Sequence, residues 1–218
     1  MSYTAFGFLL VAIFLFACFL LASIFNYRAR FKKDYHLRSH FPYELNYHGS
    51  YKDNIYGNII YALFILAVVV FLIFFSNGNS NGYLIFALIA GSVTLISLSA
   101  LIYIPIDQLR LHMLVVAMAF IFSLAFSVAT VLAAYYKYKD NSSIPALVSL
   151  IVSSLIVAIH AILVLNPKLS HWADMEDQKN EDGSIVKVRP KYFVLAYTEW
   201  ALFFLYIFNL ISLLVETV

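Results

Sequence analysis

Apolar positions in this chain do not alternate with polar ones; they run together in long blocks cut by short polar breaks. Six blocks stand out, at 5–25, 55–75, 83–103, 111–135, 144–165 and 192–215. Each is close to the roughly 20 residues that a helix needs to cross about 30 Å of hydrocarbon. The breaks hold residues that stop helices. Residues 76–82 read SNGNSNG, Pro105-Ile106-Asp107 divides the third block from the fourth, 137–143 read KYKDNSS, and Asn166-Pro167 closes the fifth. Proline lacks the backbone donor that a continuing helix requires. Unpaired backbone groups are too costly in lipid for such blocks to be anything but helical. The reading is an all-α, polytopic integral membrane protein, with six transmembrane helices in a single membrane domain over 1–218.

Composition agrees. Hydrophobic residues make up 63% of the chain and charged residues 12%, against about a quarter charged in a soluble domain. The first block is longer than a signal-peptide core of about 7–15 residues, and no basic residue precedes it, so it reads as a retained helix. Cys18 is the single cysteine, which excludes an intramolecular disulfide and a CxxC metal site.

Charge gives the expected orientation. Twelve of the fourteen lysines and arginines fall in the first, third and fifth connections, and only Lys137 and Lys139 fall on the other side. By the positive-inside rule both termini are expected on the outer or luminal side, with loops 26–54 and 166–191 facing the cytosol or matrix. The stretch holding Tyr27, Arg28, Arg30, Phe31, Lys32, Lys33 and Tyr35 suits an anionic lipid surface. Arg28, Arg30, Lys32 and Lys33 are its candidate head-group contacts, beside the plainer role of anchoring the loop. The fifth loop runs from acidic (Asp174, Glu176, Asp177, Glu181, Asp182) to basic (Lys187, Arg189, Lys191). Asp182-Gly183 predicts a turn, with a short strand at 185–188 after it. That loop is either simply solvated or a docking surface. Ala119, Ser123 and Ser127, Ala87 and Gly91, and Ser149 and Ser153 recur at the four-residue spacing of close helix contacts, within the chain or across a dimer.

Ionisable groups deep in a membrane cost about 2.5–3.5 kcal/mol on insertion scales, so they are candidate functional groups. His160 in the fifth block and Glu199 in the sixth are the two, with Asp107 and His112 at the start of the fourth. Counting from the basic ends of their helices puts His112, His160 and Glu199 in the same, inner leaflet. A His–Glu pair can relay protons or hold an imidazole against its counter-ion; it can equally be a structural hydrogen bond. Two histidines on neighbouring helices can ligate a haem, but nothing in the sequence marks a pocket for one, and the cofactor stays open. In the first loop His36 and His40 stand four apart, with Glu44 and His48 near. The glutamate that would follow the first histidine in a zinc hydrolase is replaced by Leu37, so no metal site is expected. Asn141-Ser142-Ser143 is a glycosylation sequon, too near the bilayer to be expected in use. No Walker loop, nucleophile elbow, dinucleotide-binding glycine motif or catalytic triad is present.

Ala196, Glu199 and Trp200 form an A-x-x-E-W pattern in the sixth block. The fourth carries LRLH at 109–112, followed by Ala117 and Phe120. In these two stretches, under a quarter of the length, the chain resembles the six-span family of the damage-regulated autophagy modulators and their yeast lipid-kinase scaffold relatives. Two features depart from that family: the cysteines common in its first external loop are absent, and the first loop here is basic and hence expected inside. The resemblance implies a non-enzymatic membrane protein that acts through lipids or recruited partners. Three functions are therefore carried forward. The first is a non-catalytic subunit of a larger membrane complex, or a scaffold. The second is a small transporter or channel component using a His/Glu site. The third is a lipid-modifying enzyme in which His112, His160 and Glu199 line one cavity. Membrane lipids are the expected partners, other membrane subunits are an open alternative, and nucleic acid is not expected.

Overall fold

The computed structural model describes residues 3–46, 51–76, 82–171, 174–179 and 184–215. Most of the 76–82 break, the Asp182-Gly183 turn, Glu181 and His48 lie outside that range. Six helices are long and apolar enough to cross a membrane: α1 (Tyr3–Phe31), α2 (Ile55–Ser76), α3 (Gly82–Tyr103), α4 (Leu109–Asn141), α5 (Ile144–Val164) and α6 (Val194–Val215). The protein is an all-α, multi-pass membrane protein. Between α5 and α6 a small antiparallel hairpin pairs β1 (Glu176–Lys179) with β2 (Ile185–Val188). β2 is the strand expected from the sequence; its acidic partner β1 carries no strand signal of its own.

Two helices outrun their apolar blocks. α1 continues through Asn26, Tyr27 and the arginines to Phe31, and Lys32 then leaves the helix in the left-handed region at φ 53°. α4 is 33 residues long and ends at Ser142, also left-handed, with φ 47°. Helix propensity does not stop where hydrocarbon does, and Ala, Arg and Lys extend a helix into water readily. α5 begins at once: Ser143 accepts a bond from the Ala146 N–H at 3.4 Å, and Pro145 sits in the first turn, where its missing donor costs nothing.

The helices pack as sequential antiparallel pairs, α1 with α2, α3 with α4 and α4 with α5. α6 lies among α1, α3, α4 and α5. It is the most enclosed: 72% of its most apolar stretch is buried, against 22% for α5. Aromatic rings fill the core between these pairs, Phe16 against Phe64 at 5.3 Å, Phe19 against Tyr61 at 4.8 Å and Phe126 against Tyr206 at 5.6 Å between centroids. The small-residue stripes (Ala119, Ser123 and Ser127; Ala87 and Gly91; Ser149 and Ser153) are all buried within the single chain. They pack its own helices.

Near the start of α2, where it meets α1, the chain is tightly packed at Gly57. A methyl there would overlap the Asn54 side chain and the Ser23 hydroxyl. Asn54 is itself fixed, its amide donating to Ser23 Oγ at 2.9 Å and to the Leu45 carbonyl at 3.2 Å. Gly57→Ala is therefore expected to lower Tm in detergent by several degrees. Gly7→Ala, at a position with nothing within 4 Å, should leave Tm unchanged or slightly higher. Equal losses from the two would contradict the close approach.

Candidate functional site

Three elements build the polar centre at the end of the bundle that carries the basic loops. The first is the break between α3 and α4. Ile104 is the last residue held by the α3 ladder, through its N–H to the Ala100 carbonyl, and Pro105 cannot continue it. The Ile104 carbonyl is thus one of the acceptors that every helix leaves open at its C-terminus. His112, less than one turn into α4, turns back and meets it, Nδ1 to O 2.8 Å. A carbonyl only accepts, so Nδ1 carries a proton and Nε2 faces the other way.

The second element is α6. Glu199 Oε1 lies 3.1 Å from His112 Nε2, and both side chains are 0% exposed. One proton is shared across this contact. A carboxylic acid donates it to neutral imidazole, or an imidazolium donates it to carboxylate; either way the pair carries no net charge into the bundle. A neutral total is what makes two ionisable groups tolerable at such burial. The second carboxyl oxygen, Glu199 Oε2, has no hydrogen-bond partner among the described residues.

The third element is the first loop, which folds in over the pair. Phe41 and Tyr43 stand edge-on to the His112 ring, each 5.8 Å away between centroids. Phe41, Pro42, Tyr43, Leu45 and Asn46 are buried. Further hydrogen bonds hold this cap together and stitch it to α6 and the loop before it. Trp200 Nε1 donates to the His40 carbonyl at 3.0 Å and to Tyr35 Oη at 3.1 Å. Tyr35 in turn donates to the Phe41 carbonyl at 2.7 Å. The Phe193 N–H donates to the Arg38 carbonyl at 2.9 Å. Arg189 reaches both Glu44 oxygens, at 2.9 and 2.8 Å, and the Ser39 carbonyl at 3.0 Å. Burial, reinforced by the Glu44 charge, pushes the Tyr35 phenol well above its ordinary range, so it remains a donor. Burial holds the His40 imidazole below its ordinary value against the opposing pull of Glu44, so that ring is neutral at pH 7.

His160 stands apart. Its Nδ1 faces Ser127 Oγ at 3.4 Å, and Ser127 lies about four turns along α4 from His112. Asn209 of α6 joins the same layer: its amide donates to Ser127 at 2.8 Å and its carbonyl accepts from Thr130 at 3.1 Å. The expectation of one shared leaflet treated the helices as ending level. α5 has 21 residues against 33 in α4, and it pairs with the later part of α4, so its basic end lies against the middle of that helix. His112 and Glu199 come together; His160 belongs to a mid-bundle polar layer with Ser127, Thr130 and Asn209.

Of the four candidate head-group contacts, Arg28 pairs with Asp34 at 3.4 Å and Arg30 with Asp53 at 2.8 Å. Lys32 and Lys33 are exposed and have no ion pair among the described residues. Asp107 is exposed and takes no part in the centre. His36 and His40 are not on a helix. His40 Nδ1 lies 3.2 Å from both the His36 N–H and its carbonyl, and 3.1 Å from Ser39 Oγ. Asn141 Oδ1 of the sequon accepts from the Ser143 N–H at 3.2 Å. Sequence reasoning passed over Trp200 as a donor, Asn209, Tyr35 and the Glu44–Arg189 pair. An indole or an amide inside an apolar block was the available signal for the first two. Glu44 and Arg189 are too far apart in sequence to have given one.

No protein-family model, curated protein or solved structure matches the chain.

Removing Glu199 strands His112 in the core. Glu199→Ala is expected to cost about 1–3 kcal/mol, the scale of a buried group left unpaired, read as a fall in Tm. Trp200→Phe keeps most of the volume but loses both donated bonds. It should speed tryptic cleavage at Arg38 without comparable change at Lys137. Unchanged cleavage at Arg38 would mean that the cap is held by packing alone.

Proposed function

We propose that this chain is a non-catalytic membrane protein, a structural subunit of a larger membrane complex or a membrane scaffold. In this reading both termini face the outer or luminal side and the basic loops face the cytosol or matrix. The observation that carries the proposal is the enclosure of the His112–Glu199 pair. Both side chains are without solvent exposure. The imidazole is saturated on both nitrogens, and the first loop closes over it through Phe41 and Tyr43. A group that works on a substrate or passes an ion must meet it, directly or through water. This pair meets its own helix end, its own neighbour helix and its own loop. The intramembrane polar residues then serve to fix a capped bundle, and the surfaces of that bundle are what other molecules encounter. The A-x-x-E-W resemblance points the same way, since it implies a protein without enzymatic activity.

One observation favours the transporter reading instead. Glu199 Oε2 is buried without a hydrogen-bond partner among the described residues; an open polar site of this kind can take a transient proton or ion. The lipid-enzyme reading needed His112, His160 and Glu199 around one cavity, and His160 lies a different distance along the bundle.

Proteoliposomes holding the purified chain and a trapped pH dye separate the first two readings. With an imposed proton gradient, the wild type is expected to dissipate it no faster than empty vesicles, and Glu199→Gln is expected to do the same. Faster dissipation by the wild type, abolished in Glu199→Gln at unchanged Tm, would sink the non-catalytic reading in favour of proton handling.

A further inference from the structure

At the basic end, outside the membrane-spanning helices, His36, Arg38, Ser39, His40, Arg189 and Lys191 line an open cleft of about 400 Å³. We propose that this cleft is a binding site for a phosphate monoester. The site goes beyond the role given to the bundle, and it does not use Arg28, Arg30, Lys32 or Lys33.

The walls come from two segments some 150 residues apart, and they are fixed before any ligand arrives. The Phe193 N–H holds the Arg38 carbonyl, and Arg189 holds the Ser39 carbonyl. The Arg189 guanidinium also stacks over the rings of Phe41 and Phe193, at 5.7 and 5.6 Å. The Arg38 guanidinium lies 5.1 Å over the Tyr192 ring, with its Nη1 3.4 Å from the phenol oxygen. Arginine stacked in this way loses little further freedom on meeting an anion, and its planar fork matches phosphate oxygens.

The charge is unbalanced in favour of an anion. Arg38 and Lys191 are exposed and have no carboxylate partner among the described residues. Glu44, the carboxylate at the cleft wall, is consumed, since Arg189 takes both oxygens and the Phe41 N–H takes Oε2 at 2.6 Å, while Asp174 and Glu176 line the neighbouring cleft beyond Pro190. One cation in the cleft is therefore neutralised and two are not. Neighbouring like charges raise each other's energy, and an anion between them removes that cost. The His36 and His40 rings add polar edges to the cleft, and His40 is held in place by Nδ1 contacts to the His36 backbone at 3.2 Å and to Ser39 Oγ at 3.1 Å. A monoester fits this set better than a diester, since its dianion meets two free cations and offers three oxygens. A volume of this size also accommodates part of the alcohol that carries the phosphate. Basic pockets beside the ends of spanning helices are placed to take lipid head groups, and a soluble phosphate ester presents the same chemistry.

The purified full-length chain in neutral detergent, titrated with three probes, tests the site. Phosphatidic acid in mixed micelles is the lipid monoester, phosphatidylserine the anionic control without one, and glycerol phosphate the soluble ester. Saturable binding, followed by native mass spectrometry and by the rise in Tm, is expected for a monoester and not for phosphatidylserine. Binding of phosphatidic acid alone assigns the site to lipid; displacement of it by glycerol phosphate assigns it to a soluble ester. Arg38→Gln combined with Lys191→Gln should weaken monoester binding by about tenfold or more, the scale of one lost charge-assisted bond. Its Tm without ligand should match the wild type, because both side chains are exposed. Lys32→Gln with Lys33→Gln should bind as wild type. Equal binding of phosphatidylserine, or full binding by the Arg38/Lys191 variant, would overturn the site; so would loss of binding in the Lys32/Lys33 variant alone.

Discussion

A carbonyl left open where a helix stops inside an apolar bundle must find a donor, and in this protein the donor is the imidazole of His112. Pro105 ends the α3 ladder and leaves the Ile104 oxygen facing inward. The imidazole takes the place that water would otherwise fill, and each group left unsatisfied in apolar surroundings costs several kcal/mol. His112 solves this with Nδ1 and thereby creates a second problem, because Nε2 now needs a partner as deep as itself. Glu199 is that partner. The α3–α4 break, the register of α4 against α6 and the identity of residue 199 are thus one constraint, passed from a backbone atom to an imidazole to a carboxyl group.

The constraint continues into the loops. Glu199 sits beside Trp200, and the turn of α6 that presents the carboxyl to His112 presents the indole to Tyr35 and the His40 carbonyl. The first loop is drawn in over the pair, excluding water from it, and the Phe41 and Tyr43 rings meet the imidazole edge-on. Such a cap is not an ornament on a finished bundle. Without it the His–Glu contact would lie open at the end of the bundle, and the net-neutral proton sharing would compete with hydration. The mid-bundle layer of Ser127, Thr130, His160 and Asn209 is built differently. It consists mainly of hydroxyl and amide groups that satisfy one another across α4, α5 and α6, and it fixes the axial register of α6 at a second depth. Two polar layers at different depths set α6 more tightly than small-residue packing alone, which tolerates sliding.

Much of this was legible in the chain and some was not, for physical reasons that differ by element. The six blocks announced six helices because no other structure survives in lipid at that length. The ends were less legible, since α1 and α4 run on through residues that favour helix in water as well. His112 and Glu199 were marked by the cost of placing them in an apolar block, and their partnership follows from pairing rules once α4 and α6 are neighbours. His160 was marked by the same cost and misplaced in depth, because counting from helix ends presumes equal helix lengths. The strand at 185–188 carried its own β-branched signal, whereas β1, four polar residues, acquires its conformation from the partner. The cap was invisible: Tyr35, Phe41 and Tyr43 look like interfacial aromatics, and only the fold turns them inward.

The charges of the basic end show how the same sequence feature divides into separate physical roles. Counted along the chain, the lysines and arginines form one signal of orientation. In the fold, Arg28 and Arg30 answer Asp34 and Asp53 on the surface, where pairing contributes little to stability, about 0–1 kcal/mol. Arg189 answers Glu44 with side chains only 32% and 18% exposed, and its value is geometric. By holding Glu44 and the Ser39 carbonyl together it ties up a carboxylate at the cleft wall and sets the backbone that carries Arg38. A carboxylate embedded in a basic loop thus does not simply dilute its charge. It selects which cations are spent on shape and leaves Arg38 and Lys191 with their field directed outward, as a solvated and unpaired Glu44 would not.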